Sequence, residues 1–144
     1  MKKITAAIVI IDAEGNILGC HGTGKPKDSG YDFPKGEVEP GESDIAAAVR
    51  ELKEETDIYF LDYDICHLID AGIHKHNKEK DIHIFIYKTT YFPPIEQLKC
   101  NSFFERNGKM IPEVNGYKII SKEERGMFNK ILQDKFEIID KFNK

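Results

Sequence analysis

Hydrophobic residues cluster in segments that are typical of buried strands. Ile4 to Ile11 is an apolar, mostly β-branched run, which predicts a buried strand. A turn at residues 12–16 separates it from a predicted partner strand, Ile17 to His21. From Ile82 to about Tyr91, isoleucines alternate with other residues, and this alternation predicts a strand with two different faces.

The pattern after residue 41 predicts a helix. Ser43 or Asp44 can cap a helix that runs to about Thr56. The alanines at residues 46–48 favour helix strongly, because alanine loses the least conformational freedom on entering one. We therefore expect one amphipathic helix in the first half of the chain.

The end of the chain predicts a strand followed by a second helix. Tyr117 to Ile120 is predicted to be a short strand, and Ser121 can cap a last helix from Lys122 onward. Its predicted inner face carries Phe128, Ile131 and Leu132. Strands mixed with two separated helices predict an α/β or α+β fold.

The remaining segments are rich in glycine, proline or charge. We expect a mobile loop at 22–32, extended structure at 58–70, a polar loop at 72–81, and a long connector at 93–112 with a turn at Asn107-Gly108.

Length and charge restrict the class of protein. The 144 residues fit a single domain spanning 1–144, and the net charge of -4 argues against wrapping DNA. Cys20, Cys66 and Cys100 stand far apart without a CxxC motif, so we expect reduced thiols in a cytoplasmic protein. The sequence predicts neither a signal peptide nor a membrane span.

Three glutamates stand out on the predicted helix. Glu51, Glu54 and Glu55 fall within about 100° of one face. Carboxylates at this spacing repel one another, and a hard divalent cation such as Mg²⁺ would relieve the repulsion. The alternative is a solvated acidic face, balanced by Arg50 and Lys53.

The residues before this helix favour the metal site. Gly36, then Glu42 after five residues, then Arg50-Glu51-Leu52-x-Glu54-Glu55-x-x-Ile58 after seven more, resembles the Nudix box. Asp57 departs from the pattern, which has glycine there. We expect Asp57 to end the helix in a left-handed conformation at a cost of about 1 kcal/mol.

The resemblance implies the mixed β-sheet between helices of the Nudix fold and a pyrophosphohydrolase activity. It also implies roles for single residues. Glu51, Glu54, Glu55 and the Gly36 carbonyl would bind Mg²⁺ or Mn²⁺, and Glu54 would take part in catalysis. Arg50 would orient the carboxylates, Glu42 would brace the loop from behind them, and Glu113 is a candidate base or further metal ligand. A metal-activated water would attack a phosphorus atom.

The substrate depends on residues outside the box. The segment from Phe33 to Glu42 is similar to that of diadenosine polyphosphate hydrolases, which implies that Lys35 would reach a phosphate. Glu113 and Tyr117 also keep the spacing of a Glu-x-x-x-Tyr pair in that group, where the tyrosine can stack on a base. His74 and His76 lie where subfamilies carry a specificity residue. Phe103, Phe104 and Arg106 could clamp a nucleobase or cover the core.

The expected partner is a small nucleotide, with dinucleoside polyphosphates favoured. ADP-ribose, nucleotide sugars, flavin dinucleotide, nucleoside triphosphates, diphosphoinositol phosphates and RNA 5′ ends are the alternative substrates. A Nudix-like module that binds a nucleotide without cleaving it is an alternative of another class. The sequence leaves the oligomeric state open.

Overall fold

The computed structural model describes residues 2–144, which form a mixed sheet with helices on both faces. The strands are β1 (Lys3–Ile11), β2 (Ile17–Gly22), β3 (Tyr31–Asp32), β4 (Lys35–Glu37), β5 (Ile69–Lys75), β6 (Lys80–Lys88), β7 (Phe103–Arg106), β8 (Lys109–Pro112) and β9 (Val114–Ile120). The helices are α1 (Asp44–Thr56), α2 (Asp62–Cys66) and α3 (Phe136–Phe142), with 3₁₀ turns at Ile95–Gln97, Lys122–Met127 and Lys130–Lys135.

The main sheet has the strand order β3-β2-β1-β6-β5, with β4 paired to β1 and β9 paired to β2. β1 and β6 are parallel, whereas β1 pairs antiparallel with β2 and β4. β7 and β8 form a separate hairpin. The predicted fold class, a mixed sheet between helices, is confirmed.

β1 is buried on both faces, so its alternate residues belong to two different cores. Val9 and its odd-numbered neighbours pack with Phe33, Leu132 and the C-terminal helical segment. Ile8 and its even-numbered neighbours pack with Leu52 of α1. The sheet therefore presents α1 rigidly on one face, and this is the helix that carries the box glutamates.

Both predicted ends of α1 are confirmed. The Ser43 side chain accepts a hydrogen bond from the Ala46 amide (3.1 Å), which satisfies a free donor of the first turn. Asp57 closes the helix with φ 66°, and its amide donates to the Lys53 carbonyl. The aspartate thus takes the left-handed position expected for it.

The prediction was wrong at the sheet edge. Residues 58–70 contain α2, and residues 72–75 of the predicted polar loop belong to β5, which pairs with β6 across an irregularity between Asp70 and Ile73. β5 lies at the end of the strand order, so most of its side chains are partly or fully exposed and polar residues are tolerated there. β5 therefore lacks the hydrophobic pattern from which strands are predicted.

The last helix is also shorter than predicted. Phe128 and Asn129 are extended, because the Asn129 amide donates to the Tyr31 carbonyl (2.8 Å). Helix therefore begins again only after this interruption. Phe128 and Leu132 are buried as predicted, but Ile131 is 39% exposed. None of the helices in residues 2–144 has the length and hydropathy needed to traverse a lipid bilayer.

Candidate active site

Gly36 and Glu51 bring the loop and the helix of the box into contact. β4 pairs with β1, and this places Gly36 directly over α1. A methyl group added at Gly36 would lie 2.1 Å from Cδ of Glu51 and 2.2 Å from its Oε1. A glycine at position 36 is therefore required for the Glu51 carboxylate to lie against the strand.

Arg50 holds the acidic side chains in place. Its Nε and Nη2 atoms donate to the two oxygens of Glu42 (2.8 and 3.0 Å), a two-point contact of the strong charge-assisted kind. Its Nη1 atom donates to Glu51 (2.7 Å) and to Glu54 (3.3 Å). Nη2 also donates to the Glu37 carbonyl (3.1 Å), so the guanidinium links the box loop to the helix.

A cleft of about 440 Å³ opens over this network. Its lining includes Gly36, Arg50, Glu51, Glu54 and Glu113, together with Thr5, Lys35, Glu37, Glu39, Lys80 and Ser102. A second cavity of about 220 Å³ reaches Glu55, Asp32 and Cys20. Lys35 and Glu113 line both cavities, so the two spaces meet at these side chains.

Burial changes the charge of the site. The Glu51 side chain is 12% exposed and the Glu54 side chain is 38% exposed, and Glu55 is buried. Burial, followed by the nearby Glu51 carboxylate, raises the pKa of Glu55 to about 9. Burial also raises the pKa of Glu51, although hydrogen bonding to Arg50 opposes this change. At neutral pH Glu55 therefore holds a proton that a bound cation would have to displace.

The oxygen atoms of the two adjoining cavities are of the kind that a hard divalent cation prefers. The carboxylates of Glu51, Glu54 and Glu55 and the carbonyl of Gly36 are all oxygen donors, the kind that Mg²⁺ and Mn²⁺ prefer. Among residues 2–144, no group of three histidine, cysteine, aspartate or glutamate side chains is arranged to hold a metal ion. In the structure, the Arg50 guanidinium is the cation that forms ion pairs with Glu51 and Glu54.

Asp32 was missed in the sequence, where it belonged to the predicted mobile loop. It lies in β3 and forms an ion pair with Lys35 (3.3 Å). Burial raises the pKa of Asp32, although Lys35 opposes the rise. The three-residue spacing to Lys35 was the one available signal. Asp32 reaches the site because β3 pairs with β2, a contact that no local pattern shows.

Tyr117 lies beneath the site. Its hydroxyl donates to the Glu55 carbonyl (2.5 Å) near the end of α1, and its ring packs on the core that contains Leu52. Tyr117 lines neither of the two cavities described above. Its role as a stacking residue stays a prediction.

The two histidines also lie outside both cavities. His74 is in β5, with its Nε2 2.7 Å from the Ala71 carbonyl. His76 follows the strand. Burial first, then nearby Lys35, lowers the pKa of His76 to about 4, so this imidazole is neutral at pH 7. Contact between either histidine and a substrate stays a prediction.

Comparison with known proteins shows the family of the chain. The NUDIX domain model matches residues 1–113. The chain belongs to the Nudix family. With the Arg50, Glu51, Glu54 and Glu55 positions of the Nudix box all present, the protein is a Nudix pyrophosphohydrolase, an enzyme acting on phosphorus-containing anhydrides.

The similarity to two curated proteins extends beyond the residues of the box. An uncharacterized 17.7 kDa protein of Enterobacteria phage T4 is 32% identical over 136 residues, covering 86% of this chain and 85% of the relative. A putative 8-oxo-dGTP diphosphatase, YtkD of Bacillus subtilis, is 40% identical over 89 residues, covering 59% of this chain. That second match spans about half, 49%, of the relative's length.

A solved Nudix structure has the same fold at low identity. The NUDIX domain of NrtR from Shewanella oneidensis, complexed with ADP ribose, superposes with a TM-score of 0.70 at 12% identity. The superposition covers 100% of this chain and 90% of that one. At this identity the likeness shows the fold alone.

Proposed function

We propose that this Nudix protein uses Mg²⁺ or Mn²⁺ to hydrolyse the phosphoanhydride bridge of dinucleoside polyphosphates. The observation that carries the proposal is the single cleft lined by Gly36, Arg50, Glu51, Glu54 and Glu113, with Glu55 in the adjoining cavity. A purely solvated acidic helix face would not bury Glu51 and Glu55 beneath a strand.

Glu51, Glu54, Glu55 and the Gly36 carbonyl would hold the cation. When bound, the cation neutralises phosphate oxygens and lowers the pKa of a coordinated water. Arg50 keeps the Glu51 and Glu54 carboxylates oriented, and Glu42 fixes the guanidinium from the far side. Such preorganisation matters because a misplacement of about 1 Å can cost roughly 10²-fold in rate.

Glu113 is our candidate for the base. It lies between β8 and β9 and lines both cavities. Two backbone hydrogen bonds hold it there, from its amide to the Ser102 carbonyl (2.9 Å) and from the Thr23 amide to its own carbonyl (3.1 Å). A carboxylate there would take the proton of an attacking water. Lys35, at the same junction, would bind a phosphate group that is not cleaved.

The choice of dinucleoside polyphosphates is supported by the Pro34-Lys35-Gly36 segment and the run to Glu42, which resemble those of diadenosine polyphosphate hydrolases. The NrtR domain binds ADP ribose, which also contains a diphosphate bridge. A second candidate is hydrolysis of an oxidised nucleoside triphosphate. The name of the Bacillus subtilis relative, a putative 8-oxo-dGTP diphosphatase, favours it.

The test is a panel of diphosphate compounds incubated with Mg²⁺, with products identified by mass. The panel contains diadenosine tetraphosphate, ADP-ribose, flavin dinucleotide, 8-oxo-dGTP and a capped RNA 5′ end. We expect the fastest turnover on diadenosine tetraphosphate and none in excess chelator. Full turnover in chelator would exclude the metal mechanism. Binding without cleavage of any compound would favour a nucleotide-binding module.

A further inference from the structure

The β7–β8 hairpin projects from the rim of the active-site cleft. Its two strands pair from Phe103 opposite Pro112 to Arg106 opposite Lys109. Asn107 (φ 53°) and Gly108 (φ 77°) close the turn, and positive φ at both positions is the tight hairpin turn that Asn-Gly favours. At the root, the Glu113 amide donates to the Ser102 carbonyl and extends the ladder by one pair.

The root is attached to the helix that carries the site. The Asn101 amide donates to the Glu54 carbonyl (2.6 Å), and its side-chain amide donates to Asp57 (2.9 Å). On the other strand, the Thr23 hydroxyl donates to the Pro112 carbonyl. These contacts fix the base of the hairpin relative to the box glutamates.

Strand alternation defines the two faces of the hairpin. Successive side chains in a strand point to opposite sides, and directly paired residues point to the same side. Ser102 and Glu113 form the root pair, and both line the active-site cleft. The face that continues from them, here called the cleft-side face, therefore carries Phe104, Arg106, Lys109 and Ile111. The opposite, outer face carries Phe103, Glu105, Met110 and Pro112.

The chemistry of the cleft-side face changes with distance from the cleft. Phe104 and Ile111 come first and are partly buried, and Arg106 and Lys109 come next and are exposed. The Arg106 guanidinium lies 5.3 Å from the centre of the Phe104 ring. From the root pair to the cationic pair the strand rises about 14 Å, a length that can accommodate a nucleotide. The outer face bears Glu105 instead of cations.

We propose that the cleft-side face of the hairpin binds the second nucleotide of a dinucleotide substrate, the one that lies beyond the cleaved bridge. Phe104 would stack on the base, and Arg106 and Lys109 would pair with phosphate oxygens. The proposal rests on the function proposed above. Two observations select this occupant: the face extends from Ser102 and Glu113, which line the cleft, and it combines two cations, which complement phosphate, with an aromatic ring that can stack on a base.

The experiment compares Phe104→Ala with Phe103→Ala, which removes the same ring from the outer face. KM and kcat are measured with Mg²⁺ on diadenosine tetraphosphate and on ATP. Phe104→Ala should raise KM for the dinucleotide roughly tenfold and leave its kcat within about twofold, because base stacking contributes mainly to binding. Arg106→Gln/Lys109→Gln should do the same, with an effect that weakens at high salt.

Phe103→Ala and Glu105→Gln should leave both substrates unaffected, and no variant should change KM for ATP, which lacks a second nucleoside. Equal effects of Phe103→Ala and Phe104→Ala, equal effects on ATP and the dinucleotide, or no effect at all would overturn the inference. Circular dichroism of each variant checks that the fold is retained.

If the parent does not cleave diadenosine tetraphosphate, the proposed substrate is wrong, and the dinucleotide can then be titrated calorimetrically without turnover. Weaker binding to Phe104→Ala, but not to Phe103→Ala, would still support the binding face. Absence of binding, or equal affinity in both variants, would overturn it.

Discussion

The contact between Gly36 and Glu51 makes a sharp prediction about Gly36→Ala. The added methyl group would lie 2.1 Å from Cδ of Glu51, so the carboxylate must withdraw by about 1.3 Å or more to reach ordinary van der Waals separation. The obstructing group is the end of a flexible side chain, so the glutamate can move without displacing the backbone. We therefore expect the fold to survive and the site to lose its geometry.

The expected size of the effect follows from this displacement. A shift of about 1 Å in a positioned group can cost roughly 10²-fold in rate, which corresponds to about 3 kcal/mol. The free energy of unfolding should change by no more than about 1 kcal/mol, since φ at Gly36 is not positive and the alanine is otherwise tolerated. The contact of Glu51 with Arg50, at 2.7 Å, should also be weakened.

The assay is steady-state hydrolysis over a range of Mg²⁺ concentrations, paired with urea unfolding in chelator. Gly126→Ala is the matched control, because a methyl group at Gly126 meets nothing within 4 Å and its φ is not positive. Glu51→Asp in the Gly36→Ala background should restore part of the rate by shortening the displaced side chain. A Gly36→Ala enzyme within about threefold of the parent rate would refute the proposed packing of the site.

Three further predictions concern the helix and its end. Glu54→Gln should lower kcat by roughly 10²-fold or more with little change in Tm in chelator, whereas Glu137→Gln on the exposed face of α3 should leave turnover unchanged. Because burial raises the pKa of Glu55 to about 9 from its ordinary 4.5, the metal-free protein keeps a proton there that the unfolded chain loses. The stability from that proton is complete below pH 4.5 and is lost as pH rises toward 9, so Tm in chelator should fall over this range and fall less in Glu55→Gln. Asp57→Ala should destabilise by about 1–2 kcal/mol in urea unfolding, from its positive φ and the lost hydrogen bond to Asn101, while Asp57→Asn should be close to neutral.

The central part of the fold was predictable because its pattern is local. Ile4 to Ile11 is apolar throughout since β1 is covered on both faces, and the capping of α1 by Ser43 and Asp57 depends on residues within one turn. β5 was missed because an edge strand needs little hydrophobicity. The last helix was overpredicted because a distant backbone partner, Tyr31, holds Phe128 and Asn129 extended.

The candidate site, like the fold, was predictable only where its residues are close in sequence. The spacing of Glu51, Glu54 and Glu55 places them on one helical face, and no tertiary information is required for that inference. Which glutamate is buried depends on what covers the helix, and β4 covers Glu51 and Glu55 but leaves Glu54 more exposed. Asp32 and Lys80 reach the cavities through strands that are distant in sequence. The sequence carries no local signal for Lys80, and for Asp32 it carries only the three-residue spacing to Lys35.

The parallel pairing of β1 with β6 also sets the order in which the enzyme can fold. Its register runs from Lys3 opposite Lys80 to Ile11 opposite Lys88, with all of α1 in the intervening chain. Non-local parallel pairing of this kind forms slowly, because a long loop must first close at an entropic cost, and the contacts that offset this cost form only afterwards. During synthesis the box glutamates are made early, but the sheet that supports them is complete on this side only after Lys88 has left the ribosome. A nascent chain stopped before Lys80 should therefore expose the apolar edge of β1, and its capture by chaperones should fall once β6 has emerged.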